Sequence, residues 1–171
     1  MSIKAGWAEP DFAISEPRIQ KAAGFTYVFL ERKGIPEATV GPVWKGLVAT
    51  VEAAYREQFG DVELPGLLLR FIEYPNDPKL YDVQIGYALK KAVSPRGEAQ
   101  VVRVKATLVV GILSWGTLWN VPRTYGPLIE AIGRCGYQGG REWREWHVYH
   151  DDIRSSRNSI VWVQHDLIEK D

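Results

Sequence analysis

From Arg18 the chain carries a strand pattern, with a break at Gly24, that runs through FTYVFLERKG to Gly34. Apolar and polar positions that trade places every second residue belong to a strand, whose side chains point to opposite faces in turn. The period then changes. In GPVWKGLVATVEAAYREQFG, residues 41 to 60, Trp44, Leu47, Val48, Val51, Tyr55 and Phe59 have helical spacing, with Pro42 suited to the first turn and Gly60 to the stop. LLLRFIEY and YDVQIGYALKK, joined by PNDP, read as a strand hairpin. Residues 1–16 show neither period and are expected to form an N-terminal arm.

After the polar linker AVSPRGE, residues 92–98, the same order of elements returns. QVVRVKATLVVGILSWG reads as a strand, TYGPLIEAIGRCGY as a helix, EWREWHVYH as a strand, DDIRSSRN as a loop and SIVWVQHDLIEK as a closing strand. Gly34 and Gly116 match at a separation of 82 residues. Trp44, Leu47 and Val51 match Tyr125, Leu128 and Ile132 at 81, and Val83 and Leu89 match Val161 and Leu167 at 78. A slowly shrinking offset is what short loop deletions leave in a duplicated unit. Half-repeats over 17–91 and 99–169 are therefore expected inside one domain, 17–171. One helix per half covers only one face of a sheet. The expected fold is α+β, a pseudo-two-fold duplication of a strand-helix-strand-strand unit with a mainly antiparallel sheet and two helices on one face. A groove where two such halves meet is a favoured place for a ligand. The second helix starts near Pro122 or Pro127, with Asn120 or Gly126 as its cap, and the sequence does not choose between them.

Composition narrows the class of partner. Lys plus Arg and Asp plus Glu number 21 each, so no net field draws the chain to nucleic acid or an acidic membrane. Cys135 is the single cysteine, no run of about 18 apolar residues occurs, and the N-terminus lacks the apolar core of a signal peptide. The expectation is a soluble, cytoplasmic protein with no membrane partner and no direct nucleic-acid binding; nothing in the sequence supports a protein partner. Seven Trp and eight Tyr in 171 residues change the picture, because large rings with a polar handle suit the holding of an organic ligand as well as they fill a core.

Residues 141–152, REWREWHVYHDD, concentrate the candidate chemistry. On a strand, Trp143, Glu145, His147 and Tyr149 share one face, and Arg144, Trp146, Val148 and His150 the other. Trp146 and Val148 mark the second as the expected core face. Glu145 then stands among rings and an imidazole, where a carboxylate acts as acid or base or holds a cation; the bland alternative is an exposed, solvated side chain. His147 and His150 point to opposite faces and cannot share a metal, and CxxC, HExxH and nucleotide-binding glycine motifs are absent, so neither a metal nor a cofactor is expected. Trp115, Trp119 and Tyr125 surround the junction SWGTLWNVPRTYGPL. Trp115 and Trp119 read as ligand-facing, Trp44 as core, and Tyr125 as either. In simple hairpin register Trp162 would fall beside His147, and Gln164 beside Glu145, on one face.

The half-and-half layout, the run WGTLWNVPRTYGPLIEAIGRCGYQ and the downstream REWHVYHDD resemble the GyrI-like small-molecule-binding family, met also as the effector-binding domain of multidrug-responsive transcription activators. Gly116, Tyr125, Leu128, Gly136, Tyr137, Arg144 and Glu145 fit the family's pattern in order, and the resemblance covers residues 17–169. It implies a ligand groove between two similar halves, with a Glu on this strand meeting cationic or polycyclic aromatic ligands and Tyr and Trp rings stacking on them. Carried over, that Glu is Glu145. The family's Tyr two places on is His147 here, and its Asp-Pro turn is Asp151-Asp152. A shifted alignment instead puts the family's Glu at His147 and its Tyr at Tyr149. No helix-turn-helix segment precedes the unit, which matches the stand-alone members. Three readings follow from the resemblance. The first is a binding protein for a planar, hydrophobic, neutral or cationic compound, using Glu145, His147, Tyr149, Trp115, Trp119, Tyr125 and Trp162. The second is a hydrolase of cyclopropane-bearing alkylating natural products with Glu145 as its catalytic group, and the third an interaction protein like the family's gyrase inhibitor. The residues leave turnover open.

Overall fold

The computed structural model describes the backbone of residues 5–9, 11–54, 62–91, 93–150 and 157–171, and the side chains of these except 5–9, 52–54, 62–65, 149 and 150. In chain order the described elements are β1 (Ala5–Glu9), β2 (Phe12–Ser15), β3 (Arg18–Ala22), β4 (Phe25–Pro36), α1 (Val40–Ala54), β5 (Val62–Tyr74), β6 (Asp77–Leu89), β7 (Gln100–Val104), β8 (Thr107–Gly116), α2 (Tyr125–Arg134), β9 (Tyr137–His150) and β10 (Ser159–Glu169). A short 3-10 segment leads into each helix, Glu37–Thr39 before α1 and Leu118–Thr124 before α2. The fold is α+β, with every described strand pair antiparallel. Tyr55, Phe59 and Gly60, expected to finish the first helix, lie outside the described residues.

Contacts divide the chain into two compact units, Ala23–Ala106 and the remainder on either side of it. In the Ala23–Ala106 unit the strand order is β5-β6-β4-β7. Helix α1 contacts β4 and β6, and its buried row Leu47, Val48 and Val51 is the one the sequence spacing marks. Val51 lines a common apolar space with Val28, Leu30, Ile85 and Tyr87. Each buried Val or Leu there contributes about 1.5–3 kcal/mol through apolar surface removed from water. Gly86 lets β6 come close to β4, since a Cβ there would lie 1.7 Å from the Val28 carbonyl oxygen.

The other unit has the order β1-β2-β8-β10-β9, with β3 also on β8. β3 precedes β4 in sequence but pairs with β8, while β7 precedes β8 and pairs with β4. Each half of the repeat thus passes its leading strand to the other unit. The expected arm holds two strands, β1 and β2, paired with each other. β2 pairs with the end of β8, Phe12 opposite Gly116 and Ile14 opposite Ser114, and Phe12, Ala13 and Ile14 are buried. Four residues are too few to show a period, and their partner lies about 100 positions away, so no local signal marks them. Gly116 has φ +120, and a Cβ there would sit 2.2 Å from the Asp11 carbonyl oxygen. Gly34, its match in the repeat, has φ +64.

Helix α2 starts at Tyr125, with Thr124 as the preceding cap residue, rather than at Asn120 or Gly126. Thr124 Oγ1 donates to the Val121 carbonyl at 2.7 Å and closes the 3-10 segment that holds Pro122. Pro127 falls in the first turn, where no intrahelical acceptor is lost.

Candidate functional site

The site is built on β9 and β10. Across their ladder His147 faces Val161, Glu145 faces Val163, Trp143 faces His165, Trp146 faces Trp162 and Arg144 faces Gln164. This register differs by one residue from the simple expectation. A bulge between Ile160 and Val161 takes up Val148, and a one-residue slip moves every side chain to the other face. Trp162 and Gln164 therefore share the face of Trp146 and Arg144, not that of Glu145 and His147. Val148, expected in the core, is 40% exposed for the same reason. Tyr149 lies opposite Ile160 beyond the bulge, and its side chain, like that of His150, is outside the described set.

Helix α2 contacts β9 and β10, and Tyr125 at its first position brings its hydroxyl down to Glu145. The hydroxyl donates to Oε1 of the carboxylate, while Oε2 lies 3.6 Å from Nε2 of His147. Glu145 is 8% exposed and His147 4%, so the solvated alternative for Glu145 is excluded. The Tyr125 ring meets Trp143 edge to face, with centroids 5.2 Å apart and planes at 68°. Behind Trp143 stands the buried His165, its ring centroid 4.0 Å from the indole. Nδ1 of His165 lies 3.1 Å from Oδ1 of Asp166, and that oxygen also accepts the Glu142 backbone N–H at 2.7 Å. Burial raises the Asp166 carboxyl, but the hydrogen bonds from His165 and from the Glu142 and Arg141 backbone outweigh it and hold the group below its ordinary value.

The opposite face is a separate arrangement. Arg144 pairs with Glu142, Trp146 Nε1 donates to Gln164 Oε1 at 3.1 Å, and Trp162 covers Gly111, where a Cβ would lie 2.7 Å from its Nε1. Trp115, opposite Ile160 and two positions from Leu113, shares the Trp162 face. Trp119 is 50% exposed in the 3-10 segment before α2. The structure thus joins Tyr125, Glu145 and His147 in one contact network, adds Trp143 and His165 to it, and leaves Trp115 and Trp162 across the sheet. Among the described residues no group of three His, Cys, Asp or Glu is placed to hold a metal.

The duplication supplies an internal control. Leu30 pairs with Ile85 as Ile112 pairs with Val163, and Phe71 pairs with Val83 as His147 pairs with Val161. On this correspondence Trp143, Glu145, His147 and His165 occupy the positions of Leu67, Leu69, Phe71 and Tyr87, all of them buried. One copy of the unit has two Leu, a Phe and a Tyr where the other places an indole, a carboxylate and two imidazoles. Buried polar groups cost free energy unless they are paired, so packing alone does not favour the change. The repeat offset was the signal in the sequence that could have pointed to His165.

The fold defines the class: the chain has the GyrI-like fold. The EcmrR C-terminal domain superposes with a TM-score of 0.71 at 12% identity, over 91% of this chain and 98% of that one. In the EcmrR–DNA complex the same likeness spans 58% of the longer EcmrR chain. SAV2435 bound to tetraphenylphosphonium gives 0.67 at 13% identity, over 90% of this chain and 94% of that one. A Listeria innocua hydrolase gives 0.57 at 11% identity, over 90% and 92%. No protein-family model matches the chain, and no curated protein matches it in sequence.

Proposed function

We propose that the chain binds a planar, hydrophobic small molecule on the α2-covered face of β9 and β10, with a preference for cations. The observation that carries this reading is Glu145: a buried carboxylate bonded by Tyr125 and flanked by Trp143 and His147, where the other copy of the repeat has Leu69. A carboxylate in low dielectric attracts a cation more strongly than one in water, and each ring in van der Waals reach adds about 0.5–2 kcal/mol of cation-π attraction. A solved protein of the same fold holds tetraphenylphosphonium, a bulky aromatic cation, which supports this class of ligand. Trp119 is a further aromatic candidate for the same face, whereas Trp115 and Trp162 would serve a ligand from across the sheet. The test is titration of tetraphenylphosphonium and of an uncharged polycyclic aromatic, followed by tryptophan fluorescence. Glu145→Gln is expected to weaken the cation about tenfold or more and the neutral compound by less than about twofold. Equal losses for both would remove the electrostatic role.

Hydrolysis is the second reading. It is favoured by the Tyr125–Glu145–His147 array, which offers a proton donor, a carboxylate and an imidazole in mutual reach, and by the hydrolase of the same fold. On this reading Glu145 activates water for attack on an electrophilic ring carbon. Incubation with a cyclopropane-bearing alkylator would give ring-opened product by mass spectrometry in the natural protein and none in Glu145→Ala. Undiminished turnover in that variant would exclude the assignment.

A further inference from the structure

We infer that His165 forms a second recognition point under α2, a hydrogen-bond acceptor that selects planar cations bearing N–H donors; this rests on the binding reading above and narrows its class of ligand. Oδ1 of Asp166 accepts the Glu142 backbone N–H and lies 3.1 Å from Nδ1 of His165. A carboxylate offers acceptors only, so Nδ1 of the neutral imidazole carries the proton and the ring's lone pair sits on Nε2. Among the described residues Nε2 has no hydrogen-bond partner, although the side chain is buried. An acceptor so poorly wetted costs free energy while it is unpaired, and a ligand N–H would recover it. Two glycines of β9 make room for the pair. A Cβ at Gly140 would run into Oδ2 of Asp166, and one at Gly139 would stand 3.4 Å from Nε2 of His165 and 3.7 Å from Cγ2 of Ile132 on α2. Glycine weakens a strand interior and marks the close approach of another group. At position 139 it leaves the Nε2 edge of the ring without a side chain against it.

The two recognition points belong to different ends of α2. Glu145 meets Tyr125, the first residue of the helix, whereas Nε2 of His165 faces the Gly139 position that Ile132, near the last turn, also approaches. Trp143 stands between them, edge to face with Tyr125 and with its ring centroid 4.0 Å from that of His165. Positions 143 and 145 share one face of β9 about 7 Å apart. Carboxylate, indole and acceptor thus succeed one another along a length that a planar three-ring compound can span. Tetraphenylphosphonium, which has no N–H, would use the carboxylate and the rings alone. In the other copy of the repeat Tyr87 and Ala88 occupy the positions of His165 and Asp166, so this acid-imidazole pair belongs to one copy.

Two measurements test the inference. The probes are proflavine, a planar cation with two amino groups, and acridine orange, the same ring system with both amines fully methylated so that those donors are gone. Calorimetric titration at about pH 8, above the ordinary range of imidazoles, is expected to show proflavine bound about tenfold more tightly by the natural protein, and the ratio falling below about twofold in His165→Phe. Phenylalanine removes the acceptor and keeps an aromatic ring where the other copy has Tyr87. Equal affinity for the two dyes in the natural protein, or a ratio unchanged by His165→Phe, would overturn the acceptor role while leaving cation binding intact. NMR of the natural protein labelled at nitrogen needs no variant. Nδ1 of His165 is expected to hold the proton in the free protein, and the Nε2 resonance to move upfield with proflavine but not with acridine orange. A proton on Nε2 in the free protein, or the same response to both dyes, would also overturn it. Failure of both dyes and of tetraphenylphosphonium to bind would instead overturn the binding reading, and this inference with it.

Discussion

Glu145 and Tyr125 satisfy each other in a place that packing would fill with hydrocarbon. Removing only Glu145 leaves a half-buried hydroxyl without its acceptor, whereas replacing both partners by apolar groups of similar shape is near neutral or stabilising. The double variant Glu145→Leu with Tyr125→Phe is therefore expected to unfold in urea with a stability equal to the natural protein or higher by about 1–2 kcal/mol, and to lose cation binding. A loss above about 2 kcal/mol would make the cluster a structural one. Asp166 gives a prediction of opposite sense. Its carboxyl is held below its ordinary value, so the folded state gains stability above that value and loses it as pH falls through the lowered one. Asp166→Asn should be less stable at pH 7 and show a shallower stability loss between about pH 4 and pH 2, measured by chemical denaturation across that range.

Elements carry the next set of consequences. Leu128 is the only residue of α2 that is fully buried, so the helix that delivers Tyr125 hangs on one apolar anchor. Leu128→Ala is expected to cost about 2–5 kcal/mol by thermal unfolding. Cation affinity should fall with it, because Tyr125 would no longer be held over Glu145. At the end of β8, Gly116→Ala meets both a positive φ and the Asp11 carbonyl oxygen at 2.2 Å, and should destabilise by more than about 1 kcal/mol. Most elements could be read from periodicity: the buried row of α1 and the hairpin of β5 and β6 lie where the spacing puts them. β2 was hidden, because four residues show no period and their stabilisation comes from a partner strand about 100 positions distant.

For the molecule as a whole, a ligand that binds only the folded state raises the unfolding temperature by mass action. Tetraphenylphosphonium at about 100 times its dissociation constant should add about 2.7 kcal/mol, a rise of roughly 5–10 °C for a chain of this length, and Glu145→Gln should lose about half of it or more at the same concentration. None of the helices among the described residues is long and apolar enough to cross a membrane. The duplication was legible in the sequence as an offset falling from 82 to 78, and with it the α+β class and the strand-helix-strand-strand order. Local rules suffice there, since a period of two or of 3.6 is a property of neighbouring residues. Glu145 and His147 were also legible as one face of a strand. Which face α2 covers, which partners Glu145 meets and where Trp162 points were decided by tertiary structure alone. Those depend on a bulge of one residue and on the pairing register of β9 with β10, and a slip of one position exchanges the two faces without altering the periodic pattern of either strand.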